Sequence, residues 1–243
     1  MSLDEIQQKK QIIESRSRIR EFVFGIQDGL ISTVGLLAGV QGATENSLVV
    51  IVTGFTAMFS GAISMAAGSY LSSVAQKEIF DKEITDAEKL AESEPYLAAE
   101  GLLKALGEEG LSKEQSYRMV KVLIQERNVF MRTFQEKVFG LGSAEINRPI
   151  QAAFVMGLSF IVGAVVPIMP YIFLAGVPAF YLSSLLGGLT LFGVGAFKGQ
   201  LAGQSLFLAG GKFFLIAVGA AGLGYLIGLI VQYFFPGITV PVG

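Results

Sequence analysis

Residues 25–43, read as GIQDGLISTVGLLAGVQGA, are apolar over a length that crosses a bilayer as a helix, yet they enclose one carboxylate, Asp28. A charged side chain at that depth costs about 3 kcal/mol on insertion scales, so such residues normally face the interior of a bundle and mark an ion or proton path. At helical spacing, Gly25, Asp28, Gly29, Ser32, Gly35, Leu36, Gly39 and Ala43 share an arc of roughly 120°. Val23, Ile26, Leu30, Val34 and Leu37 take the other side, which is expected to face lipid. Asp28 thus sits on a stripe of small residues. Gly25-x-x-x-Gly29 and Gly35-x-x-x-Gly39 both fit close helix packing. A plainer reading has Asp28 only hydrogen-bonding a neighbouring helix.

Composition extends this to the whole chain. Hydrophobic residues make up 52% of the 243, charged residues 16%, and the mean hydropathy is +0.58, which together read as a helical membrane protein. The net charge of −2 gives no nucleic-acid footprint. Cysteine and histidine are both absent, which removes disulfides, thiol catalysis and His-based triads. One membrane aspartate with no second membrane carboxylate leaves no acid–base pair, so an intramembrane enzyme is disfavoured. Any metal must be held by carboxylate, thioether, hydroxyl, carbonyl or water.

Residues 1–21 are polar and basic, with Ile6, Ile13 and Ile19 among Lys and Arg. They read as an amphipathic helix at the membrane surface or as a solvated basic leader. A full spanning run follows in place of the cleavage site that a signal peptide would have. Residues 22–74 hold two spans joined by a short turn at Thr44-Glu45-Asn46. The second is longer than a bilayer needs, which predicts one helix continuing into water. On it Gly54, Met58, Gly61, Met65, Gly68 and Ser72 recur on one face, small residues with two thioethers among them.

Residues 75–148 carry fourteen Asp or Glu and eleven Lys or Arg and form a separate aqueous helical module. Three helices are expected: a continuation to about Glu92, a second from Pro95 to about Gly107, and a third from Ser112 to about Phe139. Ser112 and Gln115 have capping-box spacing. Residues 149–243 hold three more apolar runs, at about 150–174, 178–197 and 213–235. Pro167 and Pro170 predict a kink or early end in the first of these. The fold class expected is therefore all-α, with five transmembrane helices and a three-helix insert between the second and third.

All eighteen Lys and Arg fall on one side if the N-terminus is cytosolic. By the positive-inside rule the insert is then cytosolic too, and the C-terminus is outside. A carboxylate and a thioether on consecutive helices, a hard oxygen beside a soft sulfur, suit a borderline divalent ion such as Fe(II) or Mn(II) better than magnesium or calcium, although methionines such as Met58 and Met65 in an apolar helix ordinarily serve packing.

Gly25-x-x-Asp28-Gly29-Leu30-x-Ser32-Thr33-x-Gly35-Leu36-x-Ala38-Gly39 resembles the first-helix signature of the vacuolar iron transporter family. Gly61-Ala62-x-Ser64-Met65-x-x-Gly68-x-Tyr70 is similar to its second-helix signature, and the five-span plan with an acidic insert matches over essentially the whole chain. The resemblance implies a homodimer that exports cytosolic Fe(II), and often Mn(II), in exchange for protons through a path at the dimer interface. It implies Asp28 and Met65 as metal ligands, with Ser32, Gly61, Gly68 and Ser69 as secondary path-lining residues and no permanently bound cofactor. Alternating access would rock the small-residue faces against each other. Glu78, Asp81, Glu83 and Glu100 match acidic positions of the family's insert; the plainer reading of such residues is a solvated face paired with lysines, as Glu78 and Lys82 at i and i+4.

The chain also departs from the family. Ser69 stands where many members have Glu. In register with Gly140-Leu141, Phe134, Gln135 and Val138 stand where the family usually has methionines and a glutamate, so the soluble metal store is expected to be reduced. These losses favour one alternative, a member that no longer transports and serves as a membrane sensor or scaffold. With no vacuolar sorting signal recognisable, a prokaryotic plasma membrane is the expected host.

Overall fold

The computed structural model describes residues 3–44, 46–140 and 148–235, with side chains from residue 19 onward. Eight helices follow in order: α1 (Leu3–Ala43), α2 (Ser47–Ser93), α3 (Pro95–Glu108), α4 (Lys113–Leu123), α5 (Arg127–Val138), α6 (Pro149–Phe173), α7 (Gly176–Leu201) and α8 (Leu206–Phe234). No strand occurs among the described residues. Five helical stretches are long and apolar enough to cross a membrane: Ile19–Ala43 of α1, and α2, α6, α7 and α8. The chain divides into two compact units, one of residues 1–70 with 150–243 and the other of residues 71–149.

In the first unit α1 is the helix the others pack around. Gly25 and Gly29 lie against Met156, Ser159 and Phe160 of α6, while Gly35, Gly39 and Gly42 lie against Ala220, Gly224, Tyr225 and Gly228 of α8. The small-residue stripe therefore serves two partners, one at each end. Its opposite face does not meet lipid as the sequence suggests. Val23, Ile26, Leu30, Val34 and Leu37 are all buried, Leu30 completely, because α7, α8 and α2 close over that side as well. In a bilayer lipid tails are as apolar as a helix interface, so an apolar face carries no information about which of the two it meets.

The helix ends have local causes. Asn46 Oδ1 accepts from the backbone N–H of Leu48 and of Val49, at 3.0 and 3.4 Å, and so caps the start of α2. The α1 backbone is helical from Leu3, without the break near residue 21 that the sequence suggests, and the side chains of residues 3–18, hence their amphipathic face, lie outside the described ones. Pro167 and Pro170 sit inside α6, which neither ends before Phe173 nor exposes them, and the buried Ser183 hydroxyl donates to the Pro167 carbonyl at 2.7 Å. α7 and α8 reach further towards each other than expected, leaving only residues 202–205 between them. Gly195 and Gly199 bring α7 close against Ala209 and Phe213 of α8, and Lys198 Nζ lies 5.3 Å from the Phe213 ring centre. Gly195, Lys198 and Gly199 are here part of the contact between two helices.

In the second unit the end of α2 packs with α3, α4 and α5 around Ala87, Ala91, Ala98, Leu102, Leu106, Val120, Phe130 and Phe134. The Ser112–Gln115 capping box forms with both of its hydrogen bonds. One expectation fails: the helix after Ser112 is two helices, α4 and α5, separated at residues 124–126. A straight helix over that span would be about 40 Å long, twice the length of α3, so about half of it would extend beyond that partner. No Gly or Pro marks the break, so the sequence does not announce it. Phe134 is 1% exposed, which makes it a core residue of this unit.

Candidate functional site

The first unit contains a cavity of about 250 Å³ lined by Asp28, Ser32, Thr33 and Leu36 of α1, Ala57, Gly61, Ser64 and Met65 of α2, and Phe160 of α6. The two helices deliver these side chains by simple periodicity. Asp28, Ser32 and Leu36 are one turn apart on α1, and Ala57, Gly61 and Met65 are one turn apart on α2. Gly61 has a specific part in the shape. A Cβ there would lie 2.5 Å from the Phe160 ring, so glycine is what lets that ring form the apolar wall.

Asp28 is half-buried, and among the described residues no hydrogen-bond donor or cation engages its carboxylate. The reading in which Asp28 merely bonds a neighbouring helix thus has no partner to name among those residues. The Ser32 hydroxyl donates to the Asp28 backbone carbonyl at 2.6 Å, which holds it along the helix. Met65 is partly buried at the edge of the α1–α2–α6 core, whereas Met58, two turns earlier, is 3% exposed and packed inside it. Of the two thioethers on that face, only Met65 borders the cavity.

Of the residues singled out in the sequence, Asp28, Met65, Ser32 and Gly61 come together here. Gly68 and Ser69, a turn beyond Met65, are not among the lining residues, and Gly68 is exposed with no neighbour where a Cβ would be. Thr33, Leu36, Ala57, Ser64 and Phe160 complete the cavity without having been singled out as lining. Two helical turns counted back from Met65 lead to Met58, which is packed in the core, so periodicity did not point to Ala57 beside it. Phe160 lies a hundred residues away in α6, and nothing local points to it. A further carboxylate, Glu21, is seven residues before Asp28 on α1; it is buried outside the cavity and already engaged.

In the second unit Glu78, Asp81, Glu83 and Glu100 are all exposed, and among the described residues no three carboxylates gather closely enough to hold a metal ion. Several of the other acidic groups are paired: Glu92 with Arg127, Glu109 with Lys137 at 2.8 Å, and Glu88 with Gln135 at 3.5 Å. The hydrogen bond from Lys137 to Glu109 holds the Lys137 ammonium above its ordinary pKa. Phe134 and Val138 pack in or against the core, and Leu141 of the Gly140-Leu141 pair lies outside the described residues.

Chemically, the cavity offers one carboxylate, one thioether and several hydroxyls beside an aromatic wall. That donor set suits a borderline divalent transition ion. Comparison with known proteins agrees in direction. The model of the VIT family matches residues 19–229. Vacuolar iron transporter 1 of Oryza sativa subsp. japonica is 27% identical over 217 residues, covering 88% of this chain and 85% of the relative. Vacuolar iron transporter 1 of Arabidopsis thaliana is 23% identical over 216 residues, 88% of this chain and 86% of the relative. The vacuolar iron transporter of Plasmodium falciparum (isolate 3D7) is 23% identical over 230 residues, 89% and 83%.

Proposed function

Because the chain belongs to the VIT family, we propose that it is a membrane transporter that carries Fe(II), and Mn(II) with it, out of the cytosol in exchange for protons. The observation that carries this reading is the meeting of Asp28 and Met65, from separate helices, on the wall of one cavity. A lone aspartate with no described partner binds either a cation or a proton. Occupancy by one excludes the other, which is the elementary requirement of exchange. Met65 adds a soft donor that favours a transition ion over magnesium or calcium.

The assembly we propose is a homodimer with the path at its interface. The Ser32, Leu36 and Ser64 edge of the cavity is exposed in the single chain, and a second copy would close it against lipid. Five spans put the termini on opposite sides, and the positive-inside rule puts the N-terminus and residues 75–148 in the cytosol. The test is uptake of Fe(II) and Mn(II) into vesicles containing the purified chain, with and without a pH gradient. Flux that needs the gradient supports the reading; absence of metal-dependent flux from well-folded protein rejects it.

A second reading is favoured by one observation, the lack of any three-carboxylate grouping among the described residues of the second unit. In it the chain has stopped transporting and acts as a membrane sensor or scaffold. Rescue of an iron- or manganese-sensitive host by the intact chain, and not by Asp28→Ala, decides between the two.

A further inference from the structure

Thr33 is a polar side chain of the cavity that the transport reading leaves unused. It lines the cavity while being only 2% exposed, so it lies at the floor, whereas Ser32 beside it is exposed at the rim. A hydroxyl in mid-helix ordinarily turns back to a carbonyl one turn earlier. Ser32 does this; among the described residues no hydrogen bond engages the Thr33 hydroxyl. Nor is that hydroxyl sealed away, as are the partnerless Gln41 Oε1, Ser116 Oγ and Tyr171 Oη. A hydroxyl neither bonded nor sealed is reached from open space, and the cavity is the open space that Thr33 borders. Such a group is free to bond to whatever occupies the cavity, water or ion, without first giving up a protein partner.

We propose that Thr33 determines which ion is carried, by giving a neutral hydroxyl oxygen to the cation's coordination shell beside the Asp28 carboxylate and the Met65 thioether. The proposal rests on the transport reading and deepens it. The Asp28 charge attracts divalent ions with little discrimination, and the Met65 sulfur favours the softer Fe(II). A hydroxyl oxygen is a hard donor that keeps Mn(II) competitive. Being neutral, it adds a ligand without adding a second charge for the exchanged proton to balance.

Initial uptake rates of Fe(II) and Mn(II) into proteoliposomes test this with Thr33→Val, which keeps the shape and loses the oxygen, and with Thr33→Ser, which keeps the oxygen. Thr33→Val is expected to raise KM for Mn(II) about tenfold and for Fe(II) roughly twofold or less, with kcat little changed. Thr33→Ser is expected to retain the original ratio. A purely structural role for Thr33 would lower uptake of both ions alike, and that result, or no change in either KM, overturns the proposal. Should the valine variant fail to fold, Thr33→Cys replaces oxygen by sulfur and is expected to shift preference towards Fe(II); an unshifted ratio overturns the proposal equally. Failure of the transport reading has a different signature, since the intact chain then carries neither ion, and the proposal falls with it.

Discussion

Gly228 of α8 lies so close to Gly39 of α1 that a methyl group on it would stand 2.0 Å from the Gly39 carbonyl oxygen. One turn earlier Gly224 meets the Gly35 carbonyl at the same 2.0 Å. The two backbones are therefore in contact along a glycine seam. In a membrane, where water does not drive helices together, such close packing is a main source of association. The seam fixes α1, and α1 carries Asp28.

Gly228→Ala should force α1 and α8 apart at a backbone contact that cannot yield as a side chain would. A loss of about 1–3 kcal/mol or more is expected, read as a lower midpoint of thermal unfolding in detergent. Gly222→Ala, on the same helix with nothing within 4 Å, is the control and should be neutral or slightly stabilising. Equal effects of the two would show that the seam does not hold the helices.

Asp28→Asn keeps the shape of the side chain and removes the group that exchanges proton for cation. Proton-coupled metal uptake should fall to background, while chromatographic behaviour and helical content stay as in the parent chain. Undiminished flux would remove Asp28 from the mechanism.

Met65→Ala should weaken Fe(II) more than Mn(II), because only the softer ion gains from sulfur. The expected change in apparent Fe(II) affinity is roughly tenfold, about 1.4 kcal/mol. The parallel substitution Met58→Ala is predicted to act through packing, lowering stability by about 2–5 kcal/mol without altering the preference between the ions. Competition between Fe(II) and Mn(II) in the same vesicles separates the two effects.

Phe134→Ala should empty the centre of the second unit at a cost of about 3–5 kcal/mol, whereas Phe134→Met should cost less than about 1.5 kcal/mol. Limited proteolysis of the full chain within residues 71–139 reads the difference. The methionine should also add no metal binding, since position 134 is 1% exposed and points into the core.

The parts of this fold that were legible in sequence rest on local physics. Apolar length marks the five candidate spans, Ser112 and Gln115 announce their capping box, and the cost of a carboxylate among apolar residues singles out Asp28 whatever its neighbours in space. The helical period then puts Ser32 beside Asp28, and Gly61 beside Met65. Less legible was the division of residues 112–139 into α4 and α5. No breaking residue marks it, so local signals give no warning of it.

By itself, then, the sequence determined which segments are helices of spanning length and which few polar groups those segments carry. Tertiary structure alone decided what those helices face. Val34 and Leu37 are as apolar as any lipid-facing pair, yet they are buried among α7, α8 and α2. Ser32 and Thr33 are neighbours with the same functional group, yet one hydroxyl is spent on the backbone and the other, on a residue that lines the cavity, has no hydrogen bond among the described residues. Periodicity reports where a side chain leaves its own helix; only the neighbouring helices determine whether lipid, protein or a passing ion meets it there.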